Sequence, residues 1–238
     1  MFYSYYSCLL VAAIAGYTMS LALRFFKQSK AGDAALYLGF LLHTGYTISA
    51  GHLPGVFLTL QVFEDPSYMP WAAAFIICVN KLRDKSEDAW NLTVIVPLVF
   101  AVIALLTPRS MSYFGPNKLT TWATFYFVTE FFSHACFFIG AVLAALFLAG
   151  KAREESYHRC LVLGFVVYTV SHVVGSIWCF LGWAATFQWV HVHLKAAALW
   201  VFYANYLHLR FLPSWNERKR AWYAIAGAVL LAAFRYVI

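Results

Sequence analysis

Eight apolar runs, each close to the length that crosses a lipid bilayer, fill most of this 238-residue chain. They extend over Tyr5–Phe25, Ala34–Ala50, Tyr68–Asn80, Ala89–Thr107, Leu119–Ala149, Cys160–Leu181, His191–Leu209 and Ala221–Ile238. A helix rising ~1.5 Å per residue needs about 20 apolar residues to cover ~30 Å of hydrocarbon. The third run is short for this and the fifth long. Charged residues make up 11% of the chain, against about 25% in soluble domains. There is too little polar surface to cover a water-facing globule. The expectation is one all-α, polytopic membrane domain over residues 1–238, with about eight transmembrane helices.

The connections between runs carry a strong charge bias. Alternate loops on one side hold Arg24, Lys27, Lys30, Lys81, Arg83, Lys85, Lys151, Arg153, Arg159, Arg210, Arg218, Lys219 and Arg220, thirteen of the seventeen Lys and Arg residues. The other side receives Arg109, Lys118, Lys195 and Arg235. Cytoplasmic loops are enriched in Lys and Arg. The thirteen therefore predict the cytoplasmic face of the inner membrane, with both termini on the outer, periplasmic side. The net charge of +7 then reports topology and not a nucleic-acid partner. The outward segments are Gly51–Ser67, Pro108–Lys118 and Gly182–Val190, the last holding Trp183 and Trp189 with Trp178 one turn earlier. These tryptophans suit either an aromatic belt or a flat ligand.

GxGxxG, GxSxG, HExxH and P-loop motifs are absent, so no hydrolase or dinucleotide chemistry is indicated. Cys8, Cys78, Cys136, Cys160 and Cys179 form neither CxxC nor a zinc spacing and read as small hydrophobes.

Four of the eight histidines, His43, His134, His172 and His208, fall inside predicted spans. An imidazole in hydrocarbon must satisfy both ring nitrogens, because unpaired polar groups there are costly. Haem iron on one nitrogen and a carbonyl or hydroxyl on the other would do so. At ~1.5 Å per residue, His43 and His172 lie ~20 Å from the basic side and His134 ~25 Å, whereas His208 lies only ~3 Å from Arg210. His134 and His172 sit on consecutive antiparallel helices near mid-membrane, with Glu130 one turn from His134 and Gly175 leaving room for a flat ring. Either they hold a haem, alone or exchanging partners with His43, or they hydrogen-bond to Glu130 and to a hydroxyl such as that of Tyr168. His191 and His193, two residues apart on a helix, splay away from each other and read either as structural or as an outer-face haem contact. His158 reads as solvated in a charged loop.

From Leu163 the chain reads LGFVVYTVSHVVGSIWCFLGWAATFQWVHVHLKAAALWVFYANYLHLRF, and over Leu38–Pro54 it reads LGFLLHTGYTISAGHLP. Both segments resemble the cytochrome c assembly (CcsA/CcmC) proteins, which handle haem at the outer membrane face through a tryptophan-rich segment. The resemblance falls on Leu163, Gly164, Phe165, Thr169, Gly175, Trp178, Trp183, Trp189, Trp200, Tyr206, Leu207 and His208, and on the AGHLP stretch containing His52. It implies His43 and His208 as an intramembrane ligand pair, Trp178, Trp183 and Trp189 as a haem platform, and His52 as a propionate contact or an ordinary interfacial residue. On the depth ruler the pair meets only if helix seven runs on through Phe211 and Leu212 while helix two starts late.

The chain also departs from that pattern. Val190, His191, Val192 and His193 stand where the family has Asp-Pro-Lys-Glu, and Gly55–Val62 replaces an Asn-x-Tyr-Glu-Ser segment. Of the family's two outer-face histidine ligands, the first would fall near Phe127 and the second beyond the last helix, where the sequence ends at Ile238. His134 and His172 occupy positions at which the pattern has no histidine. Two readings stay open. One is a haem-handling protein of cytochrome c maturation. The other is a cytochrome b subunit with one or two bis-histidine haem b groups, moving electrons between membrane quinol and a multihaem c-type cytochrome partner.

Overall fold

The computed structural model describes residues 2–51, 66–83, 89–107 and 120–237. Among them there is helix and no strand. The helices are α1 (Phe2–Phe25), α2 (Ser29–Gly51), α3 (Tyr68–Arg83), α4 (Ala89–Leu92), α5 (Ile95–Leu106), α6 (Thr121–Leu148), α7 (Glu154–Trp183), α8 (His191–Leu209) and α9 (Glu217–Ala232), the last closing on a π turn at Ala233–Val237. Each expected run has a helical counterpart. The spans Ser7–Phe25, Ala89–Leu106, Thr121–Leu148 and Glu154–Trp183 are long and apolar enough to cross a membrane. The chain is a multi-pass membrane protein, helical in its described elements.

The fourth run is broken, and proline explains the break. Pro97 has no N–H to give to the Thr93 carbonyl, and its ring crowds that oxygen. Val96 takes the Thr93 carbonyl instead, at 2.9 Å in a tighter turn, while the Thr93 hydroxyl donates back to the Trp90 carbonyl at 2.7 Å. Elsewhere the ends follow ordinary capping. Thr120 accepts from the Ala123 amide to start α6, and Asn216 accepts from the Lys219 amide to start α9, each covering an otherwise unpaired first-turn donor. Gly150, at φ +72°, ends α6 in a left-handed turn in which the Lys151 amide reaches the Leu146 carbonyl at 2.8 Å, as helix-stop geometry requires.

Packing divides the helices into two groups. α1 lies along α2, and α3 and α5 complete that set. α7 lies along α6, and α8 and α9 complete the second. α6 bridges them through α3 and α5. Two-thirds of the α6 span is buried, against about a fifth of α1, so α6 is the axis of the molecule. In lipid there is no hydrophobic force between helices, and close approach through small residues supplies the attraction. A Cβ on Gly16 would stand 2.7 Å from the Gly39 Cα, so the α1 and α2 backbones touch there. Leu161 seats against Gly140, and Cys136 and Phe137 seat against Gly164, which closes the α6/α7 seam from both sides.

At the basic end, Arg24 and Lys81 both pair with Asp33, at 2.6 and 3.0 Å, tying α1, α2 and α3 together. Arg220 pairs with Glu154, and the Tyr157 hydroxyl donates to the Glu217 carbonyl at 3.2 Å. Within each group of helices the basic connections thus meet in space.

Three boundaries differ from expectation. α7 begins at Glu154, six residues before Cys160, because Glu154 and Glu155 favour a helix N-terminus. His158 is consequently helical, and its Nδ1 lies 3.2 Å from the Tyr206 hydroxyl instead of in solvent. α8 stops at Leu209, short of Phe211 and Leu212, and α2 starts early, at Ser29. None of the five cysteines is in a disulfide, and Cys78, Cys136, Cys160 and Cys179 are buried.

Candidate functional site

In the first group of helices, His43 on α2 is completely buried. The Tyr17 hydroxyl on α1 lies 3.0 Å from its Nδ1, and the rings of Tyr17 and Tyr46 flank the imidazole at 6.0 and 6.2 Å. The contact depends on the neighbouring Gly16–Gly39 crossing, which brings the two backbones together one residue away.

The second group holds a polar cluster between α6 and α7. His134 is 5% exposed, and its Nε2 has no hydrogen-bond partner. The Nε2 of His172 is likewise buried without a partner, while its Nδ1 sits 2.9 Å from the Tyr168 carbonyl. A carbonyl can only accept, so the proton is on Nδ1 and the lone pair on Nε2. That tautomer is the one a metal-ligating histidine uses. The Tyr168 ring touches both imidazoles, at 5.7 Å from His134 and 4.2 Å from His172. Glu130 accepts from the Tyr126 hydroxyl through Oε1 at 3.2 Å, and its Oε2 is buried without a partner.

Two expectations are corrected here. Glu130 is engaged by Tyr126 and not by His134, and His172 uses the backbone carbonyl of Tyr168 and not its hydroxyl, which donates to the Ala196 carbonyl at 3.3 Å. The groove in front of Gly175 is filled: a Cβ there would meet the Tyr126 ring at 2.8 Å. An aromatic ring does occupy that slot, and it belongs to the protein.

Tyr126 joins the cluster to the far end of α7. Its ring lies 5.8 Å from Trp178, Phe127 also packs on Trp178 at 5.8 Å, and Trp178 meets Trp183 edge-on at 5.5 Å. Trp183 is 45% and Trp189 85% exposed, so the ladder opens outward from buried histidines to exposed indoles. α7 ends on Ala184 in the left-handed region at φ 54°. Past that turn Phe187 contacts Trp189 and His193, at 5.3 and 5.5 Å. The His193 Nδ1 accepts from the Gln188 amide at 3.0 Å, which makes His193 a clamp for this loop.

His43 and His208 are placed differently from each other. His208 is exposed at the last turn of α8, with its Nδ1 2.8 Å from the Ala204 carbonyl. α8 rests on α7 and α9, whereas α2 rests on α1 and α3. The helix boundaries that would have levelled the pair do not occur. His52 lies outside the described residues. Among the described residues no three His, Cys, Asp or Glu side chains converge as ligands for a metal ion. What the described residues do offer is two buried imidazole nitrogens without a hydrogen-bond partner, the Nε2 atoms of His134 and His172.

Sequence reasoning passed over Arg235. It stands on the π turn after α9, and its guanidinium lies 5.7 Å from the centre of the Phe131 ring. Sorting by loop charge had counted it only as an outer-side cation; its position over α6 is a tertiary feature.

Residues 1–236 match the family described as cytochrome C assembly protein. A cytochrome c biogenesis protein CcsA from Prochlorococcus marinus subsp. pastoris is 34% identical over 241 residues, covering 81% of this chain and 73% of that protein. The CcsA of Oryza sativa is 20% identical over 249 residues, covering 81% and 78%. A third, from Synechococcus sp. (strain RCC307), is 31% identical over 89 residues, covering 37% of this chain and 28% of that protein. In this last alignment the chain spans little more than a quarter of its relative's length. No solved structure matches.

Proposed function

This chain belongs to the cytochrome c assembly protein family, and on that premise we propose that it handles haem b in cytochrome c maturation. The observation that carries the haem reading is the pair of buried, unpartnered Nε2 atoms of His134 and His172 on adjacent helices. Stranding two imidazole nitrogens in hydrocarbon costs free energy unless a ligand takes them up. His134 and His172 would hold haem, which would supply a one-electron iron couple.

In this reading His134 and His172 are ligands, the Tyr168 carbonyl fixes the His172 tautomer, and Trp178, Trp183 and Trp189 form the stacking surface that leads outward. His43, oriented by Tyr17, and His208 are the ligands the family resemblance adds, with His52 at the outer boundary. All eight helical runs span the inner membrane, the basic loops face the cytoplasm, and both termini face the periplasm. The partners are membrane lipid and a c-type cytochrome received at the outer face.

A second reading is favoured by one observation: the unpartnered histidines occur where the family pattern has none, which suits a resident haem more than a passing one. The chain is then a cytochrome b subunit between membrane quinone and a multihaem cytochrome.

The test is optical and EPR spectroscopy of detergent-purified protein beside its His43→Ala, His134→Ala, His172→Ala and His208→Ala variants. Bis-histidine haem b lost in the His134 and His172 variants is the expected result. A colourless wild-type protein yielding no porphyrin would end the haem reading. Loss of mature c-type cytochromes on deleting the gene favours maturation; their persistence, with haem still bound, favours the resident cytochrome b.

A further inference from the structure

The connection between α8 and α9 concentrates unbalanced positive charge. Arg210, Arg218 and Lys219 are exposed. They take part in none of the ion pairs among the described residues, which engage Arg24, Lys81 and Arg220. Glu217 is the one acidic residue between positions 210 and 222. The segment is held in shape from within. The Phe211 and Leu212 amides reach back to the His208 and Leu209 carbonyls. Lys219 Nζ donates to the Ser214 carbonyl at 2.8 Å, and the Arg220 guanidinium donates to the Trp215 carbonyl at 2.9 Å. Lys219 and Arg220 thus brace the connection, while Arg210 and Arg218 hold their charge outward.

Exposed apolar side chains continue from these two arginines. Phe211 and Leu212 follow Arg210 directly, and on α9 Trp222 and Val229 are exposed like Arg218. At 3.6 residues per turn, Arg218, Trp222 and Val229 fall within about 40° of one another around α9. They form one stripe, cation then indole then aliphatic, that runs ~16 Å along the helix at 1.5 Å per residue. A phospholipid presents the matching order in the same direction: phosphate, ester boundary, acyl chain. Tryptophan is enriched at that boundary, and basic residues at a membrane surface attract anionic headgroups. A guanidinium adds a planar fork of donors that matches phosphate, which a lysine ammonium lacks.

We propose that Arg210 and Arg218 bind the phosphate of an anionic phospholipid, with Trp222 and Val229 lying along its glycerol and acyl region. The excess of cations over Glu217 selects a headgroup of net negative charge over a zwitterionic one. The assignment does not depend on the haem reading.

The test is made on protein purified in neutral detergent and titrated with phosphatidylglycerol, phosphatidylethanolamine or glycerol phosphate. Bound lipid is counted by native mass spectrometry, and stabilisation is followed by thermal melting. Wild type should bind phosphatidylglycerol more tightly than phosphatidylethanolamine and should ignore glycerol phosphate. A basic residue at an anionic surface corresponds to roughly fivefold in affinity, so Arg210→Gln/Arg218→Gln should weaken phosphatidylglycerol by roughly 25-fold. Its affinity for phosphatidylethanolamine should barely change. Lys27→Gln/Lys30→Gln removes the same charge from exposed positions of the α1–α2 connection and should weaken phosphatidylglycerol far less. Wild type that holds the two lipids alike overturns the assignment. So does an arginine double variant that keeps the preference, or a lysine double variant that loses as much. Equal stabilisation by glycerol phosphate would give the site to soluble phosphate and overturn it too. Circular dichroism shows that each variant is folded, and the comparison of lipids on wild type needs no variant.

Discussion

Replacing Gly16 with alanine should loosen the His43 site from a distance. The new Cβ would stand 2.7 Å from the Gly39 Cα, 3.0 Å from the Gly39 nitrogen and 3.2 Å from the Ala35 oxygen. All three are backbone atoms, so no side chain can rotate away. Carbon atoms rest about 3.5–4.0 Å apart, and α1 and α2 must therefore separate locally by roughly 1 Å. Tyr17 adjoins Gly16, and its 3.0 Å contact with His43 would stretch past the ~3.5 Å at which a hydrogen bond is lost. Overpacking costs about 1–3 kcal/mol and the lost bond about 1 kcal/mol more. For a chain of this size that corresponds to a fall in Tm of roughly 5–15 °C. The assay is thermal melting in detergent, followed by size-exclusion chromatography, for Gly16→Ala, Tyr17→Phe and the double variant. Tyr17→Phe alone should cost a few degrees, and almost nothing when added to Gly16→Ala, because the same contact has already gone. A Gly16→Ala protein that melts like wild type, or strict additivity of the two changes, would refute the reasoning.

Asp33→Asn removes the carboxylate shared by two cations, Arg24 and Lys81, whose side chains are 7% and 10% exposed. Removing one partner of a buried pair costs about 3–5 kcal/mol, and the partial exposure of Asp33 reduces this to roughly 2–3 kcal/mol. Adding Lys81→Met should recover part of the loss in the same melting assay. Trp200→Phe removes the 3.0 Å bond from the indole to the Thr169 hydroxyl, a loss of about 0.5–1.5 kcal/mol. Thr169→Val should cost a similar amount, and the double variant should cost less than the sum.

The helices were legible because an apolar run of bilayer length has few other uses, and all eight runs have helical counterparts here. Pro97 could have announced the break in the fourth, since its effect is local. Arithmetic along two antiparallel helices brought His134 and His172 to similar levels, and both imidazoles do touch the Tyr168 ring. Their surroundings were not legible. That Tyr126 fills the Gly175 groove, that Tyr17 reaches His43 and that Arg235 lies over Phe131 are contacts between residues 26 to 104 positions apart, set by helix rotation that spacing alone leaves open. The helix boundaries expected to level His43 with His208 are absent for a simpler reason. A turn at Arg210–Leu212 ends α8 beside its histidine.

The Trp71 indole on α3 donates to the Thr44 hydroxyl, the residue after His43, at 3.0 Å, and its ring meets Phe132 edge-on at 5.9 Å, two residues before His134. Phe75 reinforces the joint by contacting both rings. One tryptophan therefore works as a lever arm between the two halves. A tilt of α2 that shifts Thr44 strains this joint, so the segments that carry His43 and His134 are linked by a path of three side chains, Thr44, Trp71 and Phe132.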